Sequence, residues 1–316
     1  MKKSQNWMFP IASAALTAAV FIALGSARSA EKSFESDRLS THDAAYGEHV
    51  KDNYKVYSLP TPVNVTFAGE EVPLDRFGVR EKLDRELLVN TYWHSNTLLL
   101  FKRCNRWFPV IEPILARNGV PDDFKYLAVI ESGLTNAVSS AGATGFWQFL
   151  KATGESYGLE VNDEVDERYH VERSTEAACR YLNEAYRKFG DWALVAASYN
   201  MGMGGVNKQI ERQKVQEYWD LLLNEETSRY VYRILAVKEI LNNGTAYGFV
   251  VRESDLYDPY EVRTVAIDSS VTDLADFALA QGANYNVLKS LNPWLRQSYL
   301  KNAKKKAYTI LLPEDV

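Results

Sequence analysis

Glu131 sits where a surface glutamate is not expected. In the helix-like run Asp122–Ile130, Phe124, Leu127 and Ala128 recur at helical spacing, and Glu131 falls on the i+7 position of that apolar stripe. Ser132-Gly133 follows at once, so the carboxylate is expected at a helix C-terminus, facing inward. Desolvation disfavours its charged form, and the negative end of the helix dipole repels it. A carboxyl kept protonated near neutral pH is what general-acid catalysis requires. The competing reading is a glutamate that ends its helix and turns to solvent.

A second stripe repeats the logic. Trp192, Val195, Ala196 and Tyr199 stand at i, i+3, i+4 and i+7, which directs the Tyr199 ring inward with Asn200 beside it. Read alone, Tyr199 is a core ring. Met201-Gly202-Met203-Gly204-Gly205 then ends the helix in residues free to adopt positive φ. The run follows a helix rather than a strand, so it fails the context test for a dinucleotide loop. Between the two stripes, the small-residue loop Ser139–Gly145 leads into Phe146-Trp147-Gln148-Phe149, expected as a short helix. Glycine-rich approaches on either side of an inward Glu and a Tyr-Asn pair suit a groove that admits a polymer.

The elements that must carry these residues are mainly helical. Val79, Leu83 and Leu87 space one helix face, and Leu98–Phe101 continue another that Pro109 and Pro113 should kink or end. Asn118-Gly119-Val120-Pro121 reads as a stop and restart. Ser174 can cap a helix running to Phe189, Asp191–Met201 is another, and Tyr218–Asn242 holds one or two more. Strand-like runs are missing across 77–245. The last sixty residues differ: strand Tyr260–Ile267, helices Asp273–Leu279 and Tyr285–Leu291, and strand Tyr308–Leu312 form a small α+β unit, with a hinge expected at Tyr257-Asp258-Pro259. The polar, proline-rich residues 31–75 read as a weakly packed arm.

A length of 316 residues suits about two domains, and a net charge of −5 with pI near 5.6 lacks the basic footprint of a nucleic-acid binder. Lys2, Lys3, the apolar stretch Ile11–Leu24 and small residues around Gly25–Ser29 read as a secretory signal peptide over 1–30, with an uncleaved anchor as the rival. The chain is therefore expected in the periplasm or cell envelope. Cys104 and Cys179 could form one disulfide there or stay as two buried thiols. The four histidines show no metal-ligand spacing, so neither a metal nor another cofactor is expected.

Glu131-Ser132-Gly133, Gly145-Phe146-Trp147-Gln148, Ser198-Tyr199-Asn200 and Glu226-Thr227-Ser228-Arg229-Tyr230-Val231 stand in the order and spacing of the lytic transglycosylase signature. The chain resembles that family, which shares the goose-type lysozyme fold, and its arrangement most resembles the membrane-bound murein transglycosylase D type. Phe146-Trp147 and Ser198 depart from the commoner residues at those positions. The resemblance implies a lysozyme-like transglycosylase (SLT) domain over 76–250 acting on peptidoglycan glycan strands. The bond cleaved would be the β-1,4 link from N-acetylmuramic acid to N-acetylglucosamine, broken without water to leave a 1,6-anhydro end. Glu131 would act first as acid and then as base, with no second carboxylate required. Glu155, Asp163, Glu164 and Asp166 read as solvated charges. By motif position Ser132 would bond near the catalytic carboxyl, Gln148 and Asn200 would hold sugar substituents, and Tyr199 and Tyr230 would bound the cleft. Trp147 would either stack on a sugar or pack. Residues 258–316 resemble a diverged LysM module, a glycan-binding fold, through Tyr260-x-Val262, Leu274-Ala275, Gly282, Leu288-x-x-Leu291-Asn292 and Ile310-x-x-Pro313. Its usual Gly-Asp-Thr/Ser turn is replaced by Asp268-Ser269-Ser270, and Lys304-Lys305-Lys306 forms a basic turn. The implied partner is the glycan strand, met by a monomer loosely associated with the envelope. A lysozyme-like hydrolase and a non-catalytic wall-binding protein are the alternatives.

Overall fold

The computed structural model describes residues 43–52 and 55–314, and the chain divides into one unit up to Ser58 and another from Leu59 to Val316. Residues 43–52 form helix α1 of the first unit. The expected leader lies outside the described residues. Among the described residues, no helix is long and apolar enough to cross a membrane.

The second unit begins with a hairpin, β1 (Thr66–Phe67) and β2 (Glu70–Glu71), which corrects the expectation of a loose arm up to residue 75. Val65, Phe67, Val72 and Leu74 are buried, and the Phe67 ring meets Phe124 at 5.6 Å between centroids. Asp123 fixes this hairpin: its Oδ2 accepts from Ala68 N at 2.7 Å and from Lys238 Nζ at 2.8 Å. The sparse apolar residues of a proline-rich stretch were enough to anchor it.

Helices α2 (Val79–Tyr92), α3 (His94–Arg117), α4 (Lys125–Ser132), α5 (Lys151–Ser156), α6 (Val171–Phe189), α7 (Trp192–Met201), α8 (Met203–Gln213) and α9 (Glu225–Asn242) then build one core. α9 packs on α2, α4 and α7, while α6 packs on α3 and α7. α3 continues through Pro109 and Pro113, so the helix end expected at these residues does not occur. Both prolines face solvent, so the carbonyls that lose a helical donor can turn to water, while Cys104, Ile111, Ile114 and Leu115 anchor the opposite face. α6 starts a turn before Ser174, whose buried hydroxyl donates to Val171 O instead of capping. Asp191 does cap α7, accepting from Leu194 N at 2.6 Å.

The C-terminal module matches its expected order: β3 (Val262–Ile267), α10 (Leu274–Ala280), α11 (Tyr285–Leu291) and β4 (Tyr308–Pro313). β3 and β4 pair antiparallel from Val262↔Pro313 to Ile267↔Tyr308 over a core of Leu274, Leu288, Trp294, Leu300, Ile310 and Leu312. Asp273 and Asn284 cap the two helices. The expected hinge is instead a clasp. Lys102 O accepts from Tyr257 N, Arg106 Nε donates to Asp258 O at 2.8 Å, and the Arg106 guanidinium lies 4.2 Å from the Tyr260 ring centroid.

Candidate active site

Glu131 occupies the last turn of α4, which ends because Gly133 adopts φ +60°, the left-handed region where glycine carries no Cβ penalty. Two cations secure this helix end: Arg233 Nη2 donates to Ile130 O at 2.7 Å, and Arg103 Nη1 donates to Gly133 O at 3.1 Å. Tyr230, buried on α9, donates its hydroxyl to Glu131 Oε1. Burial raises the Glu131 pKa above the ordinary carboxyl range. The Tyr230 hydrogen bond and the Arg233 charge oppose that rise, and the Glu226 charge adds to it. The expected perturbation is present, and burial is its largest cause.

The cleft beside Glu131 holds about 350 Å³ and is lined also by Gln148, Phe149, Tyr199, Asn200, Glu226 and the small residues Ser139, Ala141 and Ala143. Phe146–Gln148 form turns instead of the expected short helix, and Gln148 itself has φ +48°. Gln148 Nε2 holds that geometry by donating to Gly145 O at 2.8 Å and Ala137 O at 3.0 Å. Tyr199, half-buried on α7, donates its hydroxyl to Trp147 O at 2.8 Å, tying helix to turn. Asn200 spans to α9: its Oδ1 accepts from Thr227 Oγ1 at 2.6 Å and its Nδ2 donates to Glu226 Oε1 at 3.0 Å.

Of the two readings of Trp147 one holds, and the expected Ser132 contact is corrected. The Trp147 side chain is fully buried, with Nε1 donating to Thr175 Oγ1 at 2.8 Å, so the ring packs and does not face the cleft. Ser132 Oγ turns to the backbone, donating to Phe146 O at 3.0 Å and Ala128 O at 3.2 Å, which pins the turn to α4 instead of meeting the carboxyl. Asp166, expected in solvent, is buried and paired with Arg168 at 2.7 Å. Glu226 is the cleft residue that motif reading passed over. It is a second carboxylate inside a quoted motif, and the signal for it was its place in that motif. Cys104 and Cys179 are free and buried; burial raises both thiol pKa values, that of Cys179 to about 12.

Residues 109–222 match the family model of the transglycosylase SLT domain, and residues 263–316 match that of the soluble lytic transglycosylase C-terminal LysM-like domain. Over 245 residues the chain is 31% identical to the membrane-bound lytic murein transglycosylase D of Escherichia coli (strain K12), covering 74% of this chain and 52% of that protein. The protein of the same name from Escherichia coli O6:H1 gives the same values. The chain thus spans about half the length of the curated relatives it matches. Among solved structures, an inactive mutant of the lytic transglycosylase Slt from Pseudomonas aeruginosa aligns with TM-score 0.38 and 18% identity, over 48% of this chain and 26% of that one. The motifs around Glu131 and the strand–helix–helix–strand module each fall within a matched region or continue it: the chain carries a transglycosylase SLT domain followed by a LysM-like domain, and is homologous to membrane-bound lytic murein transglycosylase D.

Proposed function

We propose that this chain is a peptidoglycan lytic transglycosylase. The observation that carries the reading is Glu131, a carboxyl raised in pKa by burial, hydrogen-bonded by Tyr230 and opening on a cleft walled by neutral amides. Protonated Glu131 gives its proton to the glycosidic oxygen between N-acetylmuramic acid and N-acetylglucosamine as the C1–O bond breaks and positive charge grows at C1. The C6 hydroxyl of the same muramic residue then attacks C1 and passes its proton to the Glu131 carboxylate. A 1,6-anhydro ring forms, no water is consumed, and the acid is regenerated. Tyr230 steadies the intermediate carboxylate by donating to it. With both Gln148 N–H groups bonded to the turn, its Oε1 is the group left to accept from a sugar hydroxyl or N-acetyl N–H, and Asn200 keeps one N–H to donate.

Glu226 favours a second reading. Its carboxylate lines the same cleft, and a second acid is what hydrolysing glycosidases use to activate water or attack the sugar. Here its Oε1 accepts from Asn200, which suits it to holding the wall in place. Digestion of isolated sacculi followed by mass spectrometry separates the two reactions, since hydrolysis adds one water to each product end. Glu131→Gln is expected to cut anhydro-muropeptide release by at least about 100-fold, the usual range for losing a general acid. An undiminished rate in that variant, or hydrated ends from the wild type, overturns the proposal.

A further inference from the structure

The loop before α6 reaches in two directions. Toward the LysM-like module, Val165 bridges to Leu295 and joins the module's apolar core. Asp166 N donates to Trp294 O at 2.9 Å, Arg296 N to Glu164 O at 2.8 Å, and Lys301 N to Glu164 Oε2 at 2.8 Å. Lys306 adds an ion pair to Glu160 at 2.6 Å. Toward the cleft, the same loop ends in Arg168. Its Nη1 donates to Gly142 O at 3.1 Å and Phe149 O at 3.2 Å, so one guanidinium holds both ends of the turn 142–149. The Arg168 carbonyl presses into the middle of that turn, where a Cβ on Gly145 would lie 2.0 Å from it.

Asp166 joins the two directions. Its Oδ1 accepts from Arg168 Nε at 2.9 Å and its Oδ2 from Nη2 at 2.7 Å, a bidentate pair whose side chains are about 10% exposed. Such fork geometry fixes orientation as well as adding energy. The Asp166 backbone is bonded to the module while its carboxylate aims the arginine at the turn. Gln148 and Phe149, which that turn carries, form a wall of the cleft.

We propose that Asp166 and Arg168 are positioning residues through which the docked LysM-like module fixes the turn 142–149, and with it one wall of the Glu131 cleft. The module thereby tunes substrate binding without touching the sugar at the cleavage point. The kinetic part rests on the transglycosylase reading; the structural part does not.

The test uses the full chain and three variants. Arg168→Met removes the fork, Arg168→Lys keeps the charge without it, and Lys306→Glu loosens the module by facing like charge at Glu160 and Glu167. Amide hydrogen exchange is expected to rise across 142–149 in Arg168→Met and in Lys306→Glu, with α4 and α7 unchanged, and to rise less in Arg168→Lys. On soluble glycan strands, KM is expected to rise about tenfold in Arg168→Met while kcat stays within about twofold, the pattern for a loss of binding shared equally by ground and transition states. If Arg168→Met does not fold, Lys306→Glu and Arg168→Lys carry the exchange comparison. Unchanged exchange at 142–149 in Lys306→Glu, with faster exchange at 162–166 and 294–301 showing that the module has loosened, overturns the proposal. Exchange does not depend on the reaction the cleft performs, so a failure of the transglycosylase reading would leave the exchange result standing.

Discussion

Glu131 has to hold a proton until a glycosidic oxygen needs it, and its surroundings set the pH at which it can. Burial raises the folded pKa above the ordinary glutamate value of about 4.3, so the folded chain holds that proton more tightly than the unfolded chain does. Stability contributed by this group is therefore lost as pH rises from that ordinary value through the raised one. Glu131→Gln should melt with the wild type in acid and above it at neutral pH; equal midpoints at both would show that the carboxyl is not desolvated. Tyr230 lowers the same pKa by donating to the carboxylate. Tyr230→Phe should accordingly reduce kcat and move the alkaline limb of the kcat/KM profile to higher pH, and a limb moving to lower pH would assign Tyr230 another part.

Glu86 shows how far helical arithmetic reaches. It stands seven residues after Val79 on the stripe that includes Leu83 and Leu87, just as Glu131 stands seven after Phe124. Spacing alone cannot separate the two, because it says which face is buried and not what waits there. In the structure Glu86 on α2 accepts from Arg229 Nε of α9 at 2.7 Å and from Arg85 at 2.5 Å, so it is a paired ion joining two helices. Removing its carboxylate in Glu86→Ala should cost about 2 kcal/mol in denaturant unfolding, the scale of stranding a charged hydrogen-bond partner. The stripes of α4 and α7 and the glycine stop after Glu131 were legible because their causes are local. The continuation of α3 through two prolines, the inward Trp147 ring and the left-handed Gln148 were not, since packing against distant segments decides each of them. Glu226 stood in plain view inside a motif, but its place on the cleft wall depends on the pairing of Asn200 with α9, far apart in sequence.

At the scale of the molecule, the module that reads as a separate domain is held by the Glu160–Arg168 loop and by the Arg106 clasp at Asp258 and Tyr260. Leu59 onward should therefore unfold as one cooperative transition, with near- and far-ultraviolet circular dichroism curves coinciding; two separated midpoints would contradict this. The same core encloses both cysteines, so a thiol reagent should find neither in the native chain and both after denaturation. Disulfide pairing was undecidable from spacing, because it depends on geometry between helices that only the fold supplies. The hairpin at 66–71 bears on what counts as a domain. The stretch matching the SLT model, 109–222, contains Glu131 but lacks Phe67, all of α2, and Tyr230 with the rest of α9. A fragment trimmed to that match would keep the acid and lose its proton-bond partner and much of the wall it leans on. The recognisable stretch is, in this chain, shorter than the set of elements that encloses its acid.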